Sequence, residues 1–357
     1  MTATPVRYSP AVEKPIEQEE QVHRDLIDTM RSITETTSKD YGHAVRSVHA
    51  KAHGILAGDL TISTDLPPEL AQGLFATAGT HKVVMRFSTN PGDILDDSVS
   101  APRGLALKIL DVAGERLPDS ADETTQNFIL VNAPAFAAPD ANAFLGSLKQ
   151  LAATTNKAEW AKKLLSATLR GVETAIEAVG GKSAMISNMS GTPITHPLGD
   201  IYYSQVPFRY GDYVAKLALV PTSPNLTALT GDRVDTSDRP DALREVIRET
   251  IIEQGGTWEL RVQLNTDLDA MPVEDASVEW DEKVSPYRTV GRIVVEPQLS
   301  LGTELAGEVD EQTFFSPWHG LAAHQPLGSV NRARRQAYEM SAEFRAKFNG
   351  CPMHDWK

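Results

Sequence analysis

Residues 46–54 read RSVHAKAHG and residues 82–89 read KVVMRFST. Both belong to a series of short strand-like segments, at 49–56, 58–64, 82–89, 105–110 and 127–131, with turns between them. Strand character returns at 200–210, 213–221, 257–265 and 290–297. Short strands at this spacing predict an antiparallel barrel rather than βαβ units. Helices lie around them. Residues 19–40 carry a helical period, with Val22, Leu26, Ile27, Met30, Ile33 and Thr34 along one side. An Ala-, Leu- and Lys-rich helical insertion is expected at about 142–179. An amphipathic helix at 241–254 ends at the pair Gly255–Gly256. A last long helix covers about 331–348. The expected class is α+β: an antiparallel barrel with an N-terminal arm and surrounding helices. Residues 1–40 form the arm and first helix, and 41–357 the barrel, the insertion and the C-terminal helix.

The bulk numbers narrow the function. The chain has 357 residues and a formal net charge of −14. That charge argues against nucleic acid or an anionic membrane as a main partner. No run of about 18 apolar residues predicts a membrane span. The start of the chain lacks the basic and apolar stretches of a secretory signal, so a cytoplasmic home is expected. Cys351 is the single cysteine, which excludes an internal disulfide and a thiolate cluster.

The C-terminal helix reads NRARRQAYEMSAEFRAKF from residue 331. Arg334 and Tyr338 are four apart, and Arg345 lies seven beyond the tyrosine, so all three share one helical stripe. An arginine one turn from a tyrosine favours the phenolate, a hard anion suited to ferric iron. Arg345, two turns on, suits a carboxylate. The same spacing also fits a solvated basic face with a partly buried tyrosine.

Three further stretches join these: PRGLALK at 102–108, NFILVNAPAF at 127–136, and VMRFST within the second strand at 84–89. With RSVHAKAHG before them and the Arg334–Tyr338 element after them, they resemble the core of the haem catalases, five motifs in the family's order. The family pattern is R-x-V-H-A-K-G-x-G, V-R-F-S-T, P-R-G-F-A-x-K, N-N-T-P-x-F-F and R-x-x-x-Y. The resemblance spans roughly residues 40–348 with gaps, and points to the minimal catalase-related peroxidase type.

The resemblance implies haem b, with Tyr338 as the axial iron ligand and Arg334 as its charge partner. It implies His49 as the distal acid–base residue, suited by an ordinary pKa near neutrality. Val48 matches the distal wall, and Ser88 the hydroxyl that orients the histidine. Arg46, Arg86 and Arg345 match the three arginines that hold the haem propionates, and Phe136 and Phe144 match aromatic residues near the distal face. Asn132 is the retained member of the family's asparagine pair and completes the catalytic set with His49 and Ser88. His53, His319 and His324 read as structural, and Glu274 and Asp275 as solvated surface.

The departures bear on substrate. Val131 replaces the first asparagine, and a one-residue slip along a strand turns a side chain to the opposite face. Ala101 replaces a channel aspartate, and Glu339-Met340-Ser341 replaces P-D-T. The helical and flavodoxin-like regions that follow in large catalases are not expected. These changes imply haem-dependent reduction of hydrogen peroxide or organic hydroperoxides by a small-molecule electron donor, with weak catalase activity. A homo-oligomer is allowed. A fatty-acid hydroperoxide isomerase or lyase, and a haem-binding protein without turnover, are the alternatives.

Overall fold

The structure is a computed structural model and describes residues 4–152, 193–351 and 353. Its strands are β1 (Ala52–Ile62), β2 (Thr80–Thr89), β3 (Arg103–Ile109), β4 (Gln126–Val131), β5 (Tyr202–Tyr203), β6 (Phe208–Tyr210), β7 (Tyr213–Pro221), β8 (Gly256–Leu264) and β9 (Arg288–Val295). Every ladder is antiparallel. The order β5-β4-β3-β2-β1-β9-β8-β7-β6 closes through a β5–β7 pairing. Eight strands therefore form a barrel, and β6 hangs on β7. Closure leaves no long edge to recruit another chain.

Alternation along the strands sorts the side chains. Val83, Met85 and Phe87 of β2, with Leu105 and Leu107 of β3 and Phe128 and Leu130 of β4, enter the main core. The other face of the same strands carries Val84 and Ile129, which pack with Ala306, Val309 and Phe315 outside the barrel. Arg86 and Ser88 follow Val84 at steps of two, so they share that outer face.

Four helices position the site: α1 (Glu19–Tyr41), α2 (Ala141–Ala152), α4 (Glu304–Glu311) and α5 (Ser329–Asn349), while α3 (Ala242–Gln254) packs elsewhere on the barrel. α1 contributes Leu26 and Met30, α2 Leu145 and Leu148, and α5 Ala337 and Met340 to one apolar cluster that also touches Val48 and Phe144. The arm is tied down by Val6 N donating to Asn265 O at 2.8 Å and Tyr8 N to Asp212 O at 2.7 Å.

Some expected boundaries change. The strands expected at 49–56 and 58–64 are one strand, β1. Gly58 does not turn the chain: a Cβ there would stand 2.6 Å from Val294 O, so the glycine admits the β9 backbone. The strand expected at 200–210 is interrupted, giving β5 and β6. The insertion begins as α2, and its remainder, 153–179, lies outside the described residues. Glu274, expected as solvated surface, accepts from Lys14 N at 2.7 Å and Ser329 N at 2.8 Å and pairs with Arg332 at 2.9 Å. Arg332 also pairs with Glu13 and Glu19, so Glu274 helps clamp the arm to the start of α5. Charges far apart in sequence met there, and surface composition gave no sign of it.

Candidate active site

Between the outer barrel face, helices α1, α2 and α5 and the segment that follows α4 lie two adjoining lobes, with about 560 and 590 Å³ of space that opens in part to solvent. Val48, His49 and Tyr338 line both lobes. The first lobe ends on Arg46, Arg86 and Arg345. The second is walled by Leu26, Met30, Phe136, Phe144 and Ala333, with Arg334 among them. Such partly enclosed, mostly apolar space with few convergent polar groups suits a small-molecule or cofactor site.

His49 precedes β1 in a loop, at a φ of 57°. That left-handed conformation is costly for a residue with a Cβ, so its surroundings must impose it. Its N–H donates to Asn90 O at 2.8 Å, and its carbonyl accepts from Arg86 Nη1 at 2.9 Å. Ser88 Oγ lies 3.1 Å from Nδ1 and 3.4 Å from Gly104 O. The ring lies over Gly104, where a Cβ would stand 2.4 Å from Nδ1. Burial, then Arg86, Arg334 and Arg46, push the imidazole down to about 3. It is therefore neutral at neutral pH. With the serine proton directed to Gly104 O, Nδ1–H donates to Oγ and Nε2 keeps its lone pair.

Tyr338 projects from α5 against the cluster on the outer barrel face. Burial raises its pKa, and Arg334 one turn away opposes that only in part. The arginine thus favours the phenolate but does not outweigh desolvation; a bound cation would have to add to it. Arg334 Nη1 donates to Asn331 Oδ1 at 3.1 Å, and the guanidinium lies 5.7 Å from the Phe136 ring centre. Phe136 and Phe144 meet at 5.1 Å between centroids.

The three arginines converge from the loop before β1, from β2 and from α5. Arg46 Nη1 and Arg86 Nε contact Asp310 Oδ1 at 2.8 and 2.9 Å, and Arg345 Nη1 donates to Asp310 O at 3.3 Å. Arg345 Nε is buried with no hydrogen-bond partner. Burial works against Asp310, yet Arg86 and Arg46 hold it down at about 2. Three guanidiniums around one carboxylate leave two positive charges over, which fits a cofactor bearing two carboxylates.

Asn132 is elsewhere. Its Oδ1 accepts from Arg103 N at 2.8 Å and its Nδ2 donates to Asp200 Oδ2 at 3.2 Å, and it lines neither lobe. Val131 is paired with Gly104, so register puts it on the His49 side of the sheet. His319 pairs with Glu123 at 2.8 Å, and His324 Nε2 accepts from Leu74 N at 2.9 Å; neither lines the lobes. His53 is buried between Thr89 and Asp97. Sequence reasoning missed Phe314, Phe315, Ser341, Ala342 and Asp310. Ser341 and Ala342 had a signal, lying three and four residues after Tyr338 on the same stripe. Asp310 had none.

No family model matches the sequence, and no curated protein matches it. Solved structures do. The chain is similar to a fungal catalase at 19% identity and a TM-score of 0.58, over 85% of this chain and 59% of that one. It is similar to catalase A from Saccharomyces cerevisiae at 18% identity and a TM-score of 0.58, over 96% of this chain and 67% of that one. This chain thus spans less than two thirds of the fungal catalase and about two thirds of the yeast one. Likeness at this identity is one of fold, and the protein has the catalase-like fold: an antiparallel β-barrel wrapped by helices.

Proposed function

We propose that the protein binds haem b through Tyr338 and uses it to reduce hydrogen peroxide or organic hydroperoxides with electrons from a small-molecule donor. The observation that carries this reading is the shared lining of the two lobes. His49 and Tyr338 border both, while Arg46, Arg86 and Arg345 gather at one end with two charges in excess. Arg46, Arg86 and Arg345 would hold the propionates, and Val48, Phe136 and Phe144 would border the macrocycle. When bound, the haem would supply the iron centre for reductive cleavage of the peroxide O–O bond, with the donor as the source of the two electrons.

The chain's own residues move the proton. Neutral His49 takes it at Nε2 from the peroxide oxygen and returns it to the departing one, and Ser88 holds the ring for both transfers. Because the imidazole is held at about 3, the rate of reaction with peroxide is expected to show no inflection near the ordinary histidine value of about 6.5. It should fall only in strong acid, as the base is protonated. A stopped-flow pH series measures this, and a half-rate point between about pH 6 and 7 would contradict the assignment.

Val131 favours peroxidase over catalase chemistry. Dismutation needs a second, water-like peroxide held beside His49. Val131 lines neither lobe but shares the His49 face through its pairing with Gly104, and an apolar side chain in place of an amide there disfavours that peroxide. Val131→Asn is expected to raise oxygen release from hydrogen peroxide more than oxidation of an added donor, with both measured on one preparation. Equal gains would remove Val131 from the account. The apolar second lobe also favours a second reading, rearrangement of a fatty-acid hydroperoxide without a donor. Product analysis with and without a reductant separates the two. The test of the whole reading is the absorption spectrum of the purified protein, before and after peroxide. A protein that takes up no haem refutes it.

A further inference from the structure

Three guanidiniums packed together repel one another, and burial removes the water that would screen them. Burial and the neighbouring arginines depress both Arg46 and Arg345. Something must gather them, and the bonds identify it. Asp310, near the end of α4, accepts from Arg46 and Arg86 with one carboxylate oxygen. Its main-chain carbonyl accepts from Arg46 at 2.6 Å and from Arg345 at 3.3 Å. Arg46 is further fixed by Val309 O and Thr313 O from the same segment. Glu311, the next residue, also attracts Arg46 and Arg345 through space, but it is half exposed, where water screens it, and its carboxylate bonds to His43 rather than to the arginines.

We infer that Asp310 is a positioning residue that sets the charge of the cofactor cradle, cancelling one arginine so that the remaining excess matches a ligand with two carboxylates. This rests on the haem reading of the site. Asp310 itself lines neither lobe, so it acts through the arginines rather than on the cofactor. A carboxylate beside the cradle also repels incoming carboxylates. Its removal therefore strengthens the preference for a charged ligand while it destabilises the protein that holds none.

The experiment uses haem b and its dimethyl ester as probes. Wild type, Asp310→Asn and the double variant Asp310→Asn with Arg345→Met are titrated with each, and their melting is followed without either. In Asp310→Asn the excess is three, so the preference for haem b over its ester is expected to rise about tenfold, with a lower melting temperature. The double variant restores an excess of two, and both quantities are expected to return toward wild type. A residue that only packs would give the reverse, because a second lost contact deepens the defect. An unchanged ester preference in Asp310→Asn, or a double variant less stable than the single one, overturns the inference. If Asp310→Asn does not fold, recovery of folding in the double variant supports the charge count and failure to recover refutes it. Wild type that takes up neither porphyrin sinks the haem reading instead, and the melting comparison still judges Asp310.

Discussion

Tyr338→Phe is expected to weaken haem retention by at least about a hundredfold, beyond the 10–100-fold typical of losing a partner behind a metal ligand. The substitution removes one oxygen and leaves the ring. The packing of Tyr338 against the outer barrel cluster is kept, and a fold defect is not expected. What is lost is the anion. Burial makes the phenolate costly, and Arg334 offsets only part of that cost. A bound ferric ion would offset the remainder, and phenylalanine would give it no anion to bind. The measurement is haem transfer to an acceptor protein, with the Soret region recorded alongside. An unchanged spectrum and unchanged retention would remove Tyr338 as the ligand. His319→Ala is the control, since that side chain is paired with Glu123 and lies edge-on to Phe314. Haem loss there would move the ligand to the loop before α5.

The second large effect is at His49. His49→Ala should slow the reaction of the haem-loaded protein with peroxide by at least about 10²-fold and leave haem bound. The two outcomes separate because the proposed function gives them to different residues: Tyr338 and the arginines would hold the haem, and His49 would move the proton. Release of the left-handed backbone at residue 49 is not expected, since Asn90 O and Arg86 fix the main chain and not the ring. Stopped-flow spectroscopy of both proteins measures the ratio, and comparable rates would refute the role. Ser88→Ala is expected to fall between the two, because it leaves the base but frees the ring.

Much of the architecture was legible in the chain. Strand segments at short spacing predicted the barrel, and the period of 19–40 predicted α1. Boundaries failed where a glycine's meaning depended on a distant strand. The break expected between Leu56 and Gly58 does not occur, and Gly58 instead marks a close approach of β9 in space. α4 was missed because eight residues give too little period to distinguish a helix from a loop.

The candidate site divides along the same line. Sequence by itself determined which chemical groups are present and in what order: a tyrosine with arginines at helical spacing, a histidine before a strand, a serine two residues after an arginine on β2. Those are local patterns, set by the 3.6- and 2-residue periods of the backbone. Tertiary structure alone decided which of them meet. The motif groups Asn132 with His49 and Ser88, although strand alternation already argues against its inheriting the distal role. The structure gives that face to Val131 and shows what Asn132 does instead, holding Arg103 and Asp200. Asp310 stands 264 residues from Arg46, 224 from Arg86 and 35 from Arg345, yet contacts all three. No periodicity reaches across such separations. The packing of α4 against the outer barrel face brings that carboxylate to the arginines, and the cost of leaving buried charges unpaired holds it there.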